Sequence, residues 1–140
     1  MPSNVNAFRN CIKEKELFME EGKNEDGSIF FRVEQRLDNG GLVVLAVSFD
    51  ESEEIVEIYT FNIAEINDAY KKESTIKLIN ELNRDYRYSK FQLDENGKVS
   101  SSYALMFEDN FNPNIVVRQL VMALNSAEEV YPKFMKLVWS

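Results

Sequence analysis

The residues best able to do chemistry in this chain are carboxylates. Asp50, Glu51, Glu53, Glu54 and Glu57 crowd into one short stretch between two apolar segments. Such a run suits weak cation binding or the docking of a basic partner, yet between apolar segments it more often forms a solvated turn. Two glycine turns resemble calcium loops but fail the spacing test. Placing Asp26-Gly27 at the loop's glycine puts Gly22 and Val33 at its end positions, and placing Asn96-Gly97 there puts Gln92 and Tyr103 at them. Neither pair supplies the carboxylates such a loop requires. Histidine is absent, which removes the commonest general base, the commonest zinc ligand and the Ser-His and Cys-His nucleophile pairs. Cys11, the only cysteine, lies on an apolar helical stripe with no base or cation cluster near it, the setting of a buried structural thiol. Glycines occur singly or in turns, without a phosphate-cradling pattern. No residue stands out as a catalytic group, a metal ligand or a cofactor contact. The expectation is a protein that is not an enzyme and carries no cofactor.

The elements around these residues must build a core. The chain has 140 residues, 44% of them hydrophobic, with ten Phe and six Tyr. That composition fits a single domain over residues 1–140. A net charge of −8 and a pI near 4.7 disfavour nucleic acid and acidic membrane surfaces, whose phosphates the chain repels. One cysteine cannot form an intrachain disulfide, which fits a reducing, cytoplasmic setting. "MPSNVNAFRN" lacks a basic segment followed by an apolar run, and no stretch is apolar over the roughly 18–20 residues a membrane helix needs.

Periodicity predicts the element order. Val5, Phe8, Cys11 and Ile12 recur at helical spacing, so residues 4–20 read as a helix, with Leu17-Phe18-Met19 as its last turn or a separate contact. "GKNEDGS" reads as a loop. Ile29, Phe31 and Val33 alternate with Arg32, Glu34 and Arg36 in a half-buried strand, and Phe30 falls awkwardly on its polar side. The turn Asp38 to Gly41 leads to the apolar strand "LVVLAVSF", and "IVEIYTF" follows as a third. A second helix runs to about Tyr86, striped by Ile76, Ile79, Leu82 and Tyr86, with Asp68 or Ser74 as its cap. Phe91 and Leu93, the turn Asp94 to Gly97, and Val99, Tyr103, Leu105 and Phe107 make a closing hairpin. Asn112 and Pro113 start a last helix. Its stripe reads Val117, Leu120, Val121, Leu124, Ala127, Tyr131, Phe134, Met135 and Val138, and Pro132 predicts a kink or break near Glu128 to Pro132. The fold class is α+β, in the order α-β-β-β-α-β-β-α. Its sheet is antiparallel and five-stranded, with helices packed on one face.

Two segments are more apolar than one buried face requires. Leu17, Phe18 and Met19 form one, and Phe134, Met135 and Trp139 in "FMKLVW" form the other. These six are the candidate partner-binding residues, for a protein or peptide or for a second copy in a homodimer. The second reading is an acidic inhibitor, of the immunity-protein kind, that masks a basic partner surface through its carboxylates.

The stretches "INELNRDYRYSKFQLDENGKV" and "LVMALNSAEEVYPKF" resemble the YbjN-like family through Leu78, Asn80, Leu82, Asn83, Phe91, Leu93, Gly97, Val99 and Tyr131-Pro132. The resemblance spans about residues 5–138. It implies the fold of type III secretion chaperones and a chaperone-like or regulatory role in protein binding. Asn80 and Asn83 are expected to bond backbone where helix gives way to strand.

Overall fold

The computed structural model describes residues 3–140; the first two residues of the stretch read for a leader lie outside it. Helix α1 spans Asn4–Glu14. Four strands follow: β1 (Glu20–Lys23), β2 (Ile29–Arg36), β3 (Leu42–Phe49) and β4 (Ile55–Glu65). Helix α2 (Lys72–Asp85), strands β5 (Lys90–Leu93) and β6 (Lys98–Met106), and helix α3 (Pro113–Trp139) complete the chain.

The expected α+β class and antiparallel sheet are present, but the sheet has six strands, in the order β1-β2-β3-β4-β6-β5. The additional strand, β1, occupies residues read as the end of a helix and the start of a loop. Its sequence, Glu20-Glu21-Gly22-Lys23, has no apolar alternation because it lies at the sheet's edge with little burial. It pairs with Arg32 to Ile29 of β2. A Cβ on Gly22 would collide with the ring of Phe30, so the awkward Phe30 covers the glycine of the neighbouring strand, a known device for stabilising edge glycines.

Register fixes the two faces. Val43, Leu45, Val47 and Phe49 of β3 and Val56 and Ile58 of β4 point toward the helices and are buried. Phe8, Phe31 and Phe49 meet with ring centroids 5.0 to 6.2 Å apart. A second cluster joins Ile79 and Leu82 of α2 to Phe91, Val99 and, on α3, Val130 and Phe134. The helices therefore cover one face, as expected, and the alternate residues of each strand line an open face.

The helix stripes need two corrections. On α2, Ile76 is half exposed and Thr75 is buried in its place, its hydroxyl donating to Lys71 O at 2.7 Å. The Asp68 carboxylate caps the single 3-10 turn, Ala69–Lys71, that leads into this helix. On α3 the buried residues are Val116, Gln119, Leu120, Ala123, Ala127, Val130 and Phe134, and Val121 is 51% exposed. The stripe is rotated because α3 offers apolar residues to two sides and the sheet packs against the Val116, Ala123 and Val130 side. The expected break at Pro132 does not occur, since α3 runs unbroken through it. Val130 and Phe134, both fully buried, anchor the helix on either side of the ring. Asn112 caps α3 and Pro113 opens it, as predicted.

Candidate functional site

The segment after α1 is held by its backbone. Glu16 N–H donates to Lys13 O at 3.1 Å and Leu17 N–H to Ile12 O at 2.8 Å, the paired bonds of a Schellman stop. Glu16 takes the left-handed conformation this stop requires, with φ 58. The chain thus turns sharply, and Leu17, Phe18 and Met19 leave the helix axis instead of extending it. Arg9 grips Glu21 through two bonds of 2.8 and 2.7 Å, tying α1 to β1 on the far side of the turn. That pairing holds the Glu21 carboxyl below the usual carboxylate range.

This geometry leaves part of the sheet's helix side uncovered. Val33 of β2 and Leu45 of β3 form a floor, Val117 and Val121 of α3 form one wall, and Leu17 and Phe18 form the other. The groove encloses about 420 Å³. Phe18 stands at its rim, 87% exposed, while Met19 packs against the core beneath. A surface of this kind, apolar and left open, can take an apolar side chain from another protein.

The second candidate segment is divided. Phe134 is 0% exposed and part of the core, so it presents no surface; it falls on the rotated stripe of α3. Met135 is partly buried against the second core cluster, and Trp139 is 77% exposed near the chain's end. Leu17, Phe18 and Met19 thus come together in one groove, whereas Met135 and Trp139 lie toward the opposite end of α3. Val121 and Val33 complete the groove. Periodicity assigned Val121 to the core, and only the rotation of α3 shows it as surface.

The carboxylate run separates into individual roles. Glu53 Oε1 accepts from Val5 N–H at 2.7 Å, and Glu53 O accepts from the Asn4 amide at 2.7 Å. Its charge sits at the positive end of α1, whose cap is completed by Ser3. Asp50 organises its own turn, accepting from Ser52 Oγ and Ile55 N–H. Among the described residues no group of three or more His, Cys, Asp or Glu is placed to hold a metal ion, and no helix is long and apolar enough to cross a membrane. Cys11 is buried, with Sγ 3.7 Å from Asn114 Oδ1.

Asn83 performs the role expected of it. Its Oδ1 accepts from Phe91 N–H at 2.7 Å and its Nδ2 donates to Phe91 O at 3.0 Å. The side chain supplies to β5 the bonds that a further strand would have made. Lys90 Nζ adds bonds to Asn83 O and Tyr86 O, each 3.0 Å. Asn80 is exposed and makes no such contact.

Residues 9–136 match the YbjN family, described as "Putative bacterial sensory transduction regulator". Among solved structures the fold is similar to a chain of the ExsC-ExsE complex, with a TM-score of 0.62 and 16% identity over 94% of this chain and 96% of that one. No curated protein matches this chain. The family match covers nearly the whole chain and agrees with the resemblance carried by Asn83, Phe91 and Tyr131-Pro132, so the chain belongs to the YbjN family.

Proposed function

We propose that this member of the YbjN family is a non-enzymatic, chaperone-like or regulatory protein that binds a protein or peptide partner in the cytoplasm. The observation that carries this reading is the open apolar groove beside Leu17, Phe18 and Met19, with Phe18 87% exposed at its rim. An isolated exposed phenylalanine is ordinary. One that walls a groove floored by Val33 and Leu45 marks a place where a partner's side chain would be buried. The similar chain in the ExsC-ExsE complex supports the reading, because its fold is found together with another protein. Met135 and Trp139 lie apart from the groove and serve as a second contact, for a longer partner or for the mate in a homodimer. The reading as an acidic mask is weakened by Glu53, whose carboxylate is engaged by the start of α1.

The test is capture of partners from the source cell's lysate by tagged protein, washed at low and high salt and identified by mass spectrometry. Phe18→Asp and Val121→Asp are each expected to lose a salt-resistant partner while melting within about 1 kcal/mol of the parent, as surface changes do. A partner kept by both variants refutes the groove. A partner released by salt alone favours the acidic mask.

A further inference from the structure

The open face of the sheet is not the polar surface expected of an antiparallel sheet with one side in water. Along β3 the outward residues after Leu42 are Val44, Ala46 and Ser48, all small or medium in size. The register sets Phe30, Arg32 and Glu34 of β2 on one side of them, and Glu57, Tyr59 and Phe61 of β4 on the other. Tall side chains thus flank a low floor, and the trough between them holds about 670 Å³. Tyr59 and Phe61 stack with centroids 5.2 Å apart and planes 13° from parallel, forming a flat wall. Phe61 is exposed at one end of this wall, and the exposed pair Ile55 and Met106 lies beyond its other end, past Glu57.

The trough has two chemically different ends. Asp26 and Asp50 lie at one end with Glu57. Asp26 is held below the usual carboxylate range by its bonds from Ser28, so it stays charged near neutrality. Glu57 accepts from Tyr59 OH at 2.6 Å through one oxygen, which leaves the other free. Val44 and Phe61 mark the opposite end, with the exposed Glu34 outside the trough on the far side of Val44. Arg32, the trough's one cation, stands midway across from Tyr59 and has no ion pair among the described residues. Three carboxylates against one guanidinium disfavour a phosphate backbone and favour a cation at the acidic end.

We propose that this trough binds an extended protein segment that carries a Lys or Arg about four residues from a large apolar side chain. The spacing follows from the floor: Ser48 to Val44 is four residues, or roughly 13 Å at strand rise. The basic side chain meets Asp26, Asp50 and Glu57. The apolar one lies on Val44 and against Phe61, and a polar or acidic residue between them faces Arg32. The assignment deepens the protein-binding reading given above, but uses the face opposite to the Phe18 groove.

Fluorescence anisotropy tests it with two labelled synthetic peptides of ten residues, one with a Lys-x-x-x-Phe core and one with Glu in place of the Lys. The basic peptide is expected to give saturable binding, at least tenfold tighter than the acidic one and weakened by salt. Ser48→Arg, which fills the floor and sets a positive charge among the carboxylates, is expected to weaken binding at least tenfold. Phe61→Asp, at an exposed position, is expected to do the same and guards against misfolding of the first variant. Phe18→Asp is expected to leave peptide binding unchanged. No binding, equal binding of both peptides, or full binding by the two trough variants overturns the proposal. Loss of binding in Phe18→Asp alone also overturns it, assigning the peptide to the groove. A dimer in sedimentation that Ser48→Arg dissociates overturns it too, since a second copy then occupies the face. Capture of a partner that depends on Phe18 while neither peptide binds would sink this proposal and spare the groove.

Discussion

Replacing Asn83 by Ala removes the two bonds that close the outer side of β5. Phe91, whose backbone they serve, is only 3% exposed, so water does not readily take their place. Each buried backbone group left without a partner costs about 1–3 kcal/mol. Two such groups, relieved partly by local opening, give about 2–4 kcal/mol. Because Asn83 lies in α2, exchange for Ala also gains roughly 0.5 kcal/mol of helix propensity. Asn80→Ala measures that gain separately, since Asn80 lies in the same helix and makes no such bonds. With an unfolding entropy of about 2.1 cal/mol/K per residue, the net loss of about 1.5–3.5 kcal/mol corresponds to a melting point roughly 5–12 °C lower. Thermal and urea unfolding followed by circular dichroism provide the measurement, and hydrogen exchange at the Phe91 amide reports the site itself. A loss below about 0.5 kcal/mol, with Phe91 still protected from exchange, would refute the assignment of both bonds to Asn83.

Three further outcomes are expected. Phe134→Ala should cost about 3–5 kcal/mol in urea unfolding, because the ring is wholly buried, and a near-neutral result would return it to the surface. Glu53→Ala should cost about 1–2 kcal/mol by uncapping α1, with the loss of helical signal in urea as its measure. Burial pushes the phenols of Tyr59 and Tyr86 up to about 12, aided by the carboxylates of Glu57 and Glu129. The fold favours their neutral forms, so this contribution is complete below about pH 10, where the unfolded phenol begins to ionise, and is lost as pH rises through 12. Absorbance titration should show late phenolate formation that Tyr59→Phe and Tyr86→Phe each reduce.

The legible parts of the fold were those whose signal is local. Asn112-Pro113 announced the start of α3, and Asp94 to Gly97 announced a hairpin, because a cap and a tight turn depend on a few adjacent residues. Asn83 was legible as a backbone partner for the same reason. What was hidden depends on neighbours distant in sequence. β1 exists through its pairing with β2 and the ring of Phe30 over Gly22, and "EEGK" carries no trace of either. The facing of α3 was obscured because "IVV" and "LVM" offer apolar residues to two sides, and the sheet beneath selects Val116 over Val117 and leaves Val121 outside. Of the candidate site, Leu17, Phe18 and Met19 were readable as surplus apolar residues. The groove they wall was not, since its floor comes from two strands and its other side from a helix about a hundred residues further along. The turn between β2 and β3 shows the same dependence: a Cβ on Gly41 would lie 2.6 Å from the ring of Tyr131, and Glu128 accepts from Asp38 N–H at 2.9 Å.

The two ends of the sheet differ in a way that limits assembly. β5 is plugged by a side chain of its own molecule, while β1 has no strand beyond it. A sheet with two available sides can add neighbours without end, as fibres do. A sheet with one has a valence of one. Two such molecules joined through β1 saturate each other, and a guest strand added there leaves no place for a second. Asn83 therefore acts as a terminator as well as a brace, since it occupies at Phe91 the groups through which this side of the sheet would add a strand and leaves β1 as the more open end.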